Sequence, residues 1–210
     1  MGPISSTALW YASRATGVVA LVLLTVVVLL GIGVNRRGRL PGLPRFATTS
    51  LHRSLSLLAV AFIAIHVVTA VADPYVTIGI AAAVIPLSSP YKPLWIGLGA
   101  ISFDIIIALI ITSLARARIG RRTWRAVHWL AYACWPVALL HDIGSSTDLR
   151  AGWLLALAIG CAAAVLAATC WRFGTALTAP SRAQQAARAL RDAELDTDTR
   201  HRELTGAGSR

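Results

Sequence analysis

Two apolar stretches of this chain each carry a histidine near both ends, and no other feature of the sequence constrains the fold as strongly. The first runs from Ser50 to Asp73 (SLHRSLSLLAVAFIAIHVVTAVAD) and holds His52 and His66; the second, TWRAVHWLAYACWPVALLHDIG, holds His128 and His141. Segments of this length and apolarity cross a bilayer as helices, where an unpaired imidazole costs several kcal/mol. The histidines stand 14 residues apart in the first stretch and 13 apart in the second. At about 1.5 Å of rise per residue, each pair is separated by roughly 20 Å along its helix. The pattern therefore predicts two levels, each supplied with one imidazole from each helix.

Composition sets the solvent. The 210 residues are 56% hydrophobic and only 14% charged, with a mean hydropathy of +0.66. A water-soluble domain carries about a quarter charged residues, so lipid surrounds most of this chain and it is expected to be a multi-pass protein of the cell membrane. The net charge of +11 does not point to nucleic acid as a partner. The arginines crowd into short segments between apolar spans, where membrane topology accounts for them. Cys134, Cys161 and Cys170 lie inside predicted spans without a CxxC or CxxCH spacing, which argues against covalent haem attachment and iron–sulfur ligation.

Five spans follow in order. The first runs from about Trp10 to Val34 and reads as retained, since no basic region precedes it. The loop after it carries Arg36, Arg37, Arg39, Arg45 and Arg53, and Thr48, Thr49 and Ser50 are N-cap candidates for the His52/His66 helix. The loop from Pro74 to Pro93 has one cation, Lys92, and is apolar enough to lie back over whatever is bound beneath it. The third span, from Leu94 to about Leu114, contains Asp104 and leads into a second basic loop with Arg116, Arg118, Arg121, Arg122 and Arg125. The fourth starts near Trp124 and holds the second histidine pair; the fifth runs from about Trp153 to Trp171. The excess of arginine in alternate loops orients the chain with its N-terminus out and C-terminus in. The expected architecture is all-α, a polytopic bundle of five transmembrane helices over residues 1–173, with a cytoplasmic tail over 174–210 in which Arg182 to Glu194 form a short surface helix and the last dozen residues are disordered.

Spans two and four are parallel in this topology, so His52 shares the cytoplasmic level with His128, and His66 shares the outer level with His141. Four histidines split into pairs roughly 20 Å apart cannot meet at one zinc or copper ion. Bis-imidazole ligation of two non-covalent b-type haems explains their number, depth and apolar surroundings together. One angle resists: at about 100° per residue, 14 residues return nearly to one helix face whereas 13 land about 140° away. Pro136 lies between His128 and His141, and a kink is expected there.

These residues carry a resemblance. His-x13-His on one span with His-x12-His on the next but one, within WYASRATG, LHRSLSLLAVAFIAIHVVTA and WRAVHWLAYACWPVALLHDIG, is similar to the ferric reductase-like transmembrane domain, especially its short actinobacterial members. The resemblance covers residues 10–172. It implies that His52 and His128 ligate an inner haem, His66 and His141 an outer one, and that electrons cross the membrane through them. Larger members continue into flavin- and nicotinamide-binding domains and usually have six spans. No G-x-G-x-x-G follows a strand here, so a separate flavoprotein or quinol is expected as electron donor.

Arg14 in the first span is a candidate partner for a haem propionate or an anionic substrate, and Arg53 and Arg125 are candidates beside the inner haem. Asp104 is a candidate for pairing with Arg14, for proton transfer, or for a neutral interhelix hydrogen bond. Trp95, Trp124, Trp129 and Trp153 suit interfacial belts first and haem packing second. The expected function is transmembrane electron transfer to an extracytoplasmic acceptor, as an oxidoreductase component. The alternatives are a quinol-oxidising haem subunit serving a periplasmic reductase, and a haem-free scaffold or transporter.

Overall fold

In the computed structural model, residues 6–35, 44–74, 76, 78–146, 152–177, 184, 186–187, 190–195 and 197 are described. The chain divides into two units, Met1–Thr169 and Cys170–Arg210. The first contains α1 (Ser6–Asn35), α2 (Arg45–Ala72), a 3-10 turn (Ala81–Ala83), α3 (Pro93–Leu114), α4 (Arg116–His128), α5 (Ala131–Ser145) and most of α6 (Gly152–Leu177). In the second, the described tail residues are helical; the short helix expected from Arg182 begins outside the described residues, and the last dozen residues lie outside them.

Among the described residues, four helices are long and apolar enough to cross a membrane: Thr7–Gly33, Phe46–Ala72, Pro93–Leu114 and Gly152–Gly174. Their large apolar side chains point outward as well as inward. Leu57, Ile65, Val68, Ile111, Leu114, Ile159 and Leu166 are all exposed, as lipid-facing residues are. The interior is lined by small residues. Ala20, Ala59, Ala100 and Ala158 are buried, and small side chains let helix backbones approach closely where no hydrophobic force drives them together. Ala20, Ile63, Ile106 and Cys134 form one cluster joining α1, α2, α3 and α5, and Trp135, Cys161 and Val165 form a second that brings in α6.

Three expectations are corrected. α2 begins at Arg45, so Thr48, Thr49 and Ser50 lie within it rather than capping it; the N-cap is Pro44, whose fixed φ suits a helix entrance. The second basic loop is helical. It forms most of α4, interrupted at Gly120 by a φ of +77° that only glycine adopts cheaply. The fourth span is not one helix: His128 closes α4, Trp129 and Leu130 form a turn, and His141 stands on α5. At 15 residues, α5 is about 22 Å long, less than a hydrocarbon core of about 30 Å.

That turn supplies the missing rotation. Leu130 N–H bonds to Val127 O, Tyr132 N–H to Trp129 O and Ala133 N–H to Leu130 O, each three residues back. Residues bonded this way advance about 120° instead of about 100°. With Trp129 N–H to Ala126 O, four such bonds add about 80°, most of the 100° by which a regular 13-residue spacing misses the 14-residue one. This turn sits just after His128, eight residues before Pro136, which lies inside α5.

Candidate functional site

The imidazoles meet across helices as the sequence pattern requires. The ring centroids of His52 and His128 are 6.5 Å apart with planes at 68°, and those of His66 and His141 are 6.2 Å apart at 75°. An imidazole nitrogen lies about 1 Å from its ring centre and bonds a first-row metal at about 2 Å, so rings on opposite sides of one iron have centroids roughly 6 Å apart. Both pairs have that spacing. Among the described residues, no three His, Cys, Asp or Glu side chains gather at one point, so the nitrogen donors come in twos.

Three of the rings are aimed by the backbone. His52 Nδ1 is 3.1 Å from Val27 O, His66 Nδ1 is 2.7 Å from Ser13 O, and His141 Nδ1 is 2.7 Å from Trp95 O. A carbonyl oxygen can only accept, so each Nδ1–H donates and each Nε2 keeps its lone pair. This is the arrangement that orients a metal-binding histidine and strengthens it as a donor.

Access to those carbonyls has a local cause. Four residues after each acceptor stands a glycine: Gly31 after Val27, Gly17 after Ser13, Gly99 after Trp95. A Cβ on Gly17 would lie 3.0 Å from the His66 ring, one on Gly31 3.4 Å from that of His52, and one on Gly99 2.6 Å from that of His141. Within a helix the residue four positions on covers the carbonyl it bonds, and a glycine there leaves room for an imidazole to reach the same oxygen, with least to spare at Gly99. Gly17 and Gly31 are 14 residues apart on α1, as His52 and His66 are on antiparallel α2. These glycines are candidate site positions that the histidine pattern alone does not reveal. Their signal is the matching interval.

A cavity of about 630 Å³ opens beside His66 and His141, lined also by Arg14, Gly17, Gly99 and Asp142, within the size range of cofactor sites. Asp73, Val76, Ile78, Ala82 and Tyr91 add lining from the connection after α2, which folds back over the site as its apolar sequence predicts. Ala82 and Ser89 are buried. Arg14 lies on the cavity wall with its guanidinium 4.0 Å from the centre of the Trp10 ring. Asp142, next to His141, lies within electrostatic reach of Arg14 and His66. Asp104 is half-buried on α3 and does not line the cavity. Arg53 and Arg125 are exposed. Of the tryptophans, Trp124 stacks on His128 with centroids 4.9 Å apart and Trp95 lends its carbonyl to His141, whereas Trp129 and Trp153 are exposed.

Comparison with curated proteins and with solved structures finds no match. Residues 16–139 match the family described as ferric reductase like transmembrane component. The matched stretch includes Gly17, Gly31, His52, His66, Gly99 and His128 and spans more than half of the chain. The protein is therefore a membrane protein of helical-bundle type that belongs to the ferric reductase-like transmembrane family.

Proposed function

We propose that this chain is a two-haem cytochrome b of five membrane crossings that carries electrons, one at a time, from the side of its basic loops to an acceptor on the other side. The observation that carries this reading is the pairing of four imidazoles into two cross-helix couples at iron-straddling distance, with three Nδ1 protons held by backbone carbonyls. In it, His52 and His128 hold the inner haem and His66 and His141 the outer. A haem bound at each pair supplies a one-electron carrier; the bundle keeps it dry and fixes its axial ligands.

The fourth crossing consists of α5 together with the turn that joins it to α4, and the chain runs with its N-terminus outside and its C-terminus inside. Residues 1–173 make up the haem-binding domain and 174–210 the tail. Arg14, on the cavity wall, neutralises a propionate or an anionic acceptor at the outer level. Arg53 and Arg125 serve the inner propionates. The cavity beside His66 and His141 gives an acceptor its approach, and a separate flavoprotein or a quinol is the donor.

The test is a reduced-minus-oxidised visible spectrum of the purified protein with a haem-to-protein ratio. A b-type α-band at two haems per chain is expected. No such band would end the electron-transfer reading.

A further inference from the structure

The connection that folds over the cavity ends on its single cation, Lys92, and Lys92 adopts a backbone conformation that its sequence opposes. Pro93 steers the residue before it toward extended conformations, and a side chain disfavours the left-handed region, yet Lys92 has φ +41° and ψ +58°. Backbone strain of this kind persists only where surrounding contacts hold it. Here the residue's own side chain supplies them. Its Nζ donates to Gly144 O at 3.2 Å and to Ser145 O at 3.1 Å, two of the carbonyls that the end of a helix leaves without an internal partner. An ammonium at that place also suits the negative end of the α5 dipole.

Gly144 and Ser145 lie one turn beyond His141. From Lys92 onward α3 follows α5 in antiparallel step: Lys92 meets Gly144, Trp95 O accepts from His141 Nδ1, and Ser102 O accepts from Cys134 Sγ. The Trp95 ring lies directly on the backbone of Gly144, where a Cβ would overlap it, and the His141 ring fills the space left at Gly99. The covering connection is fixed at the same end. Ser89 Oγ donates to Tyr91 O and accepts from Tyr91 N–H, Leu87 packs against Gly97 near the start of α3, and Tyr91 lines the cavity. Lys92 thus stands where the cover, the entrance of α3 and the turn after His141 are joined.

We propose that Lys92 is a positioning residue for the His66/His141 level: its ammonium clamps the last turn of α5 to the entrance of α3 and thereby sets the angle of the His141 ring against that of His66. This rests on the haem reading above. The clamp acts through the Trp95 carbonyl, which aims His141 Nδ1 and with it the Nε2 lone pair. His52 and His128 lie at the other level, roughly 20 Å away along the helices, so their geometry is independent of Lys92.

The experiment is electron paramagnetic resonance of the oxidised, full-length holoprotein, with a redox titration beside it. The low-spin ferric signal of a haem held by two imidazoles depends on the angle between the ring planes, which is 75° for His66 and His141. Lys92→Gly removes the ammonium and relaxes the backbone, since glycine adopts this φ without strain. About half of the low-spin signal should change shape in this variant while the other half stays in place. Lys92→Arg, which keeps a cationic donor for the two carbonyls, should retain the signal of the unaltered protein. Gly144→Ala, which drives the Trp95 ring off α5, should alter the same half and tests the clamp independently from the other helix. An unchanged signal in Lys92→Gly, or a change in both halves, would overturn the inference. So would a shifted midpoint potential with an unchanged signal, which would make Lys92 an electrostatic group and not a positioning one. Protein purified without haem would instead defeat the underlying reading.

Discussion

Gly17 and the imidazole of His66 touch across α1 and α2: a Cβ built on the glycine would stand 3.0 Å from both Nδ1 and Cε1 of the ring. The contact exists because the ring reaches past Gly17 to the Ser13 carbonyl. The same relation joins Gly31 to His52 and, more tightly, Gly99 to His141. Helix-to-helix spacing and ligand orientation are thus fixed by the same three residues.

Graded effects of alanine at these glycines follow from the distances. Gly99→Ala places a methyl 2.6 Å from the His141 ring and Gly31→Ala one 3.4 Å from that of His52; the first distance forces a shift of the ring or the helix, and the second is ordinary contact. Haem content measured after extraction should fall to about half in Gly99→Ala and stay near two per chain in Gly31→Ala, with Gly17→Ala between them.

Single ligand removals distinguish the two levels. His66→Ala and His52→Ala each take one imidazole from a different pair, and each should lower haem content by about half. Either variant retaining both haems would refute the pairing.

Arg14 places a guanidinium on the wall of the cavity beside His66 and His141. A cation beside a haem favours the reduced, less positive iron. Arg14→Gln should lower the midpoint potential of one haem and leave the other in place, as read by a spectroelectrochemical titration resolved into two components. A shift of both haems, or of neither, would remove Arg14 from the outer site.

A change in the core away from the histidines gives a control. Trp135 Nε1–H donates to Thr25 Oγ1 at 3.0 Å, and that hydroxyl donates in turn to Leu21 O at 2.8 Å. Thr25→Val leaves the buried indole N–H without an acceptor and should cost about 1–2 kcal/mol in stability. Thermal unfolding in detergent should register the loss while haem content stays unchanged.

Much of the architecture was legible in the chain alone. Uninterrupted apolar runs of span length have one stable form in lipid, because every backbone group must be bonded within its own segment. Hence α1, α2, α3 and α6 lie within a few residues of their expected positions, apart from the early start of α2 and the late end of α6. Nearly equal intervals between histidines, 14 and 13 residues, implied two levels, and the structure brings His52 to His128 and His66 to His141. These features depend on periodicity and local composition, which a sequence displays directly.

The rest depended on which neighbours the helices meet. The turn at Trp129 and Leu130 that rotates His141 toward the face of His128 has no proline or glycine to announce it. Pro136, which does announce a kink, lies inside α5. The glycines at 17, 31 and 99 gain meaning only when α1 and α3 are set beside the imidazoles, because a missing Cβ matters only where another side chain needs its volume. Sequence determined how many imidazoles there are and at what heights; tertiary packing decided which carbonyl each can reach, since that depends on a few tenths of an ångström between helices distant in the chain.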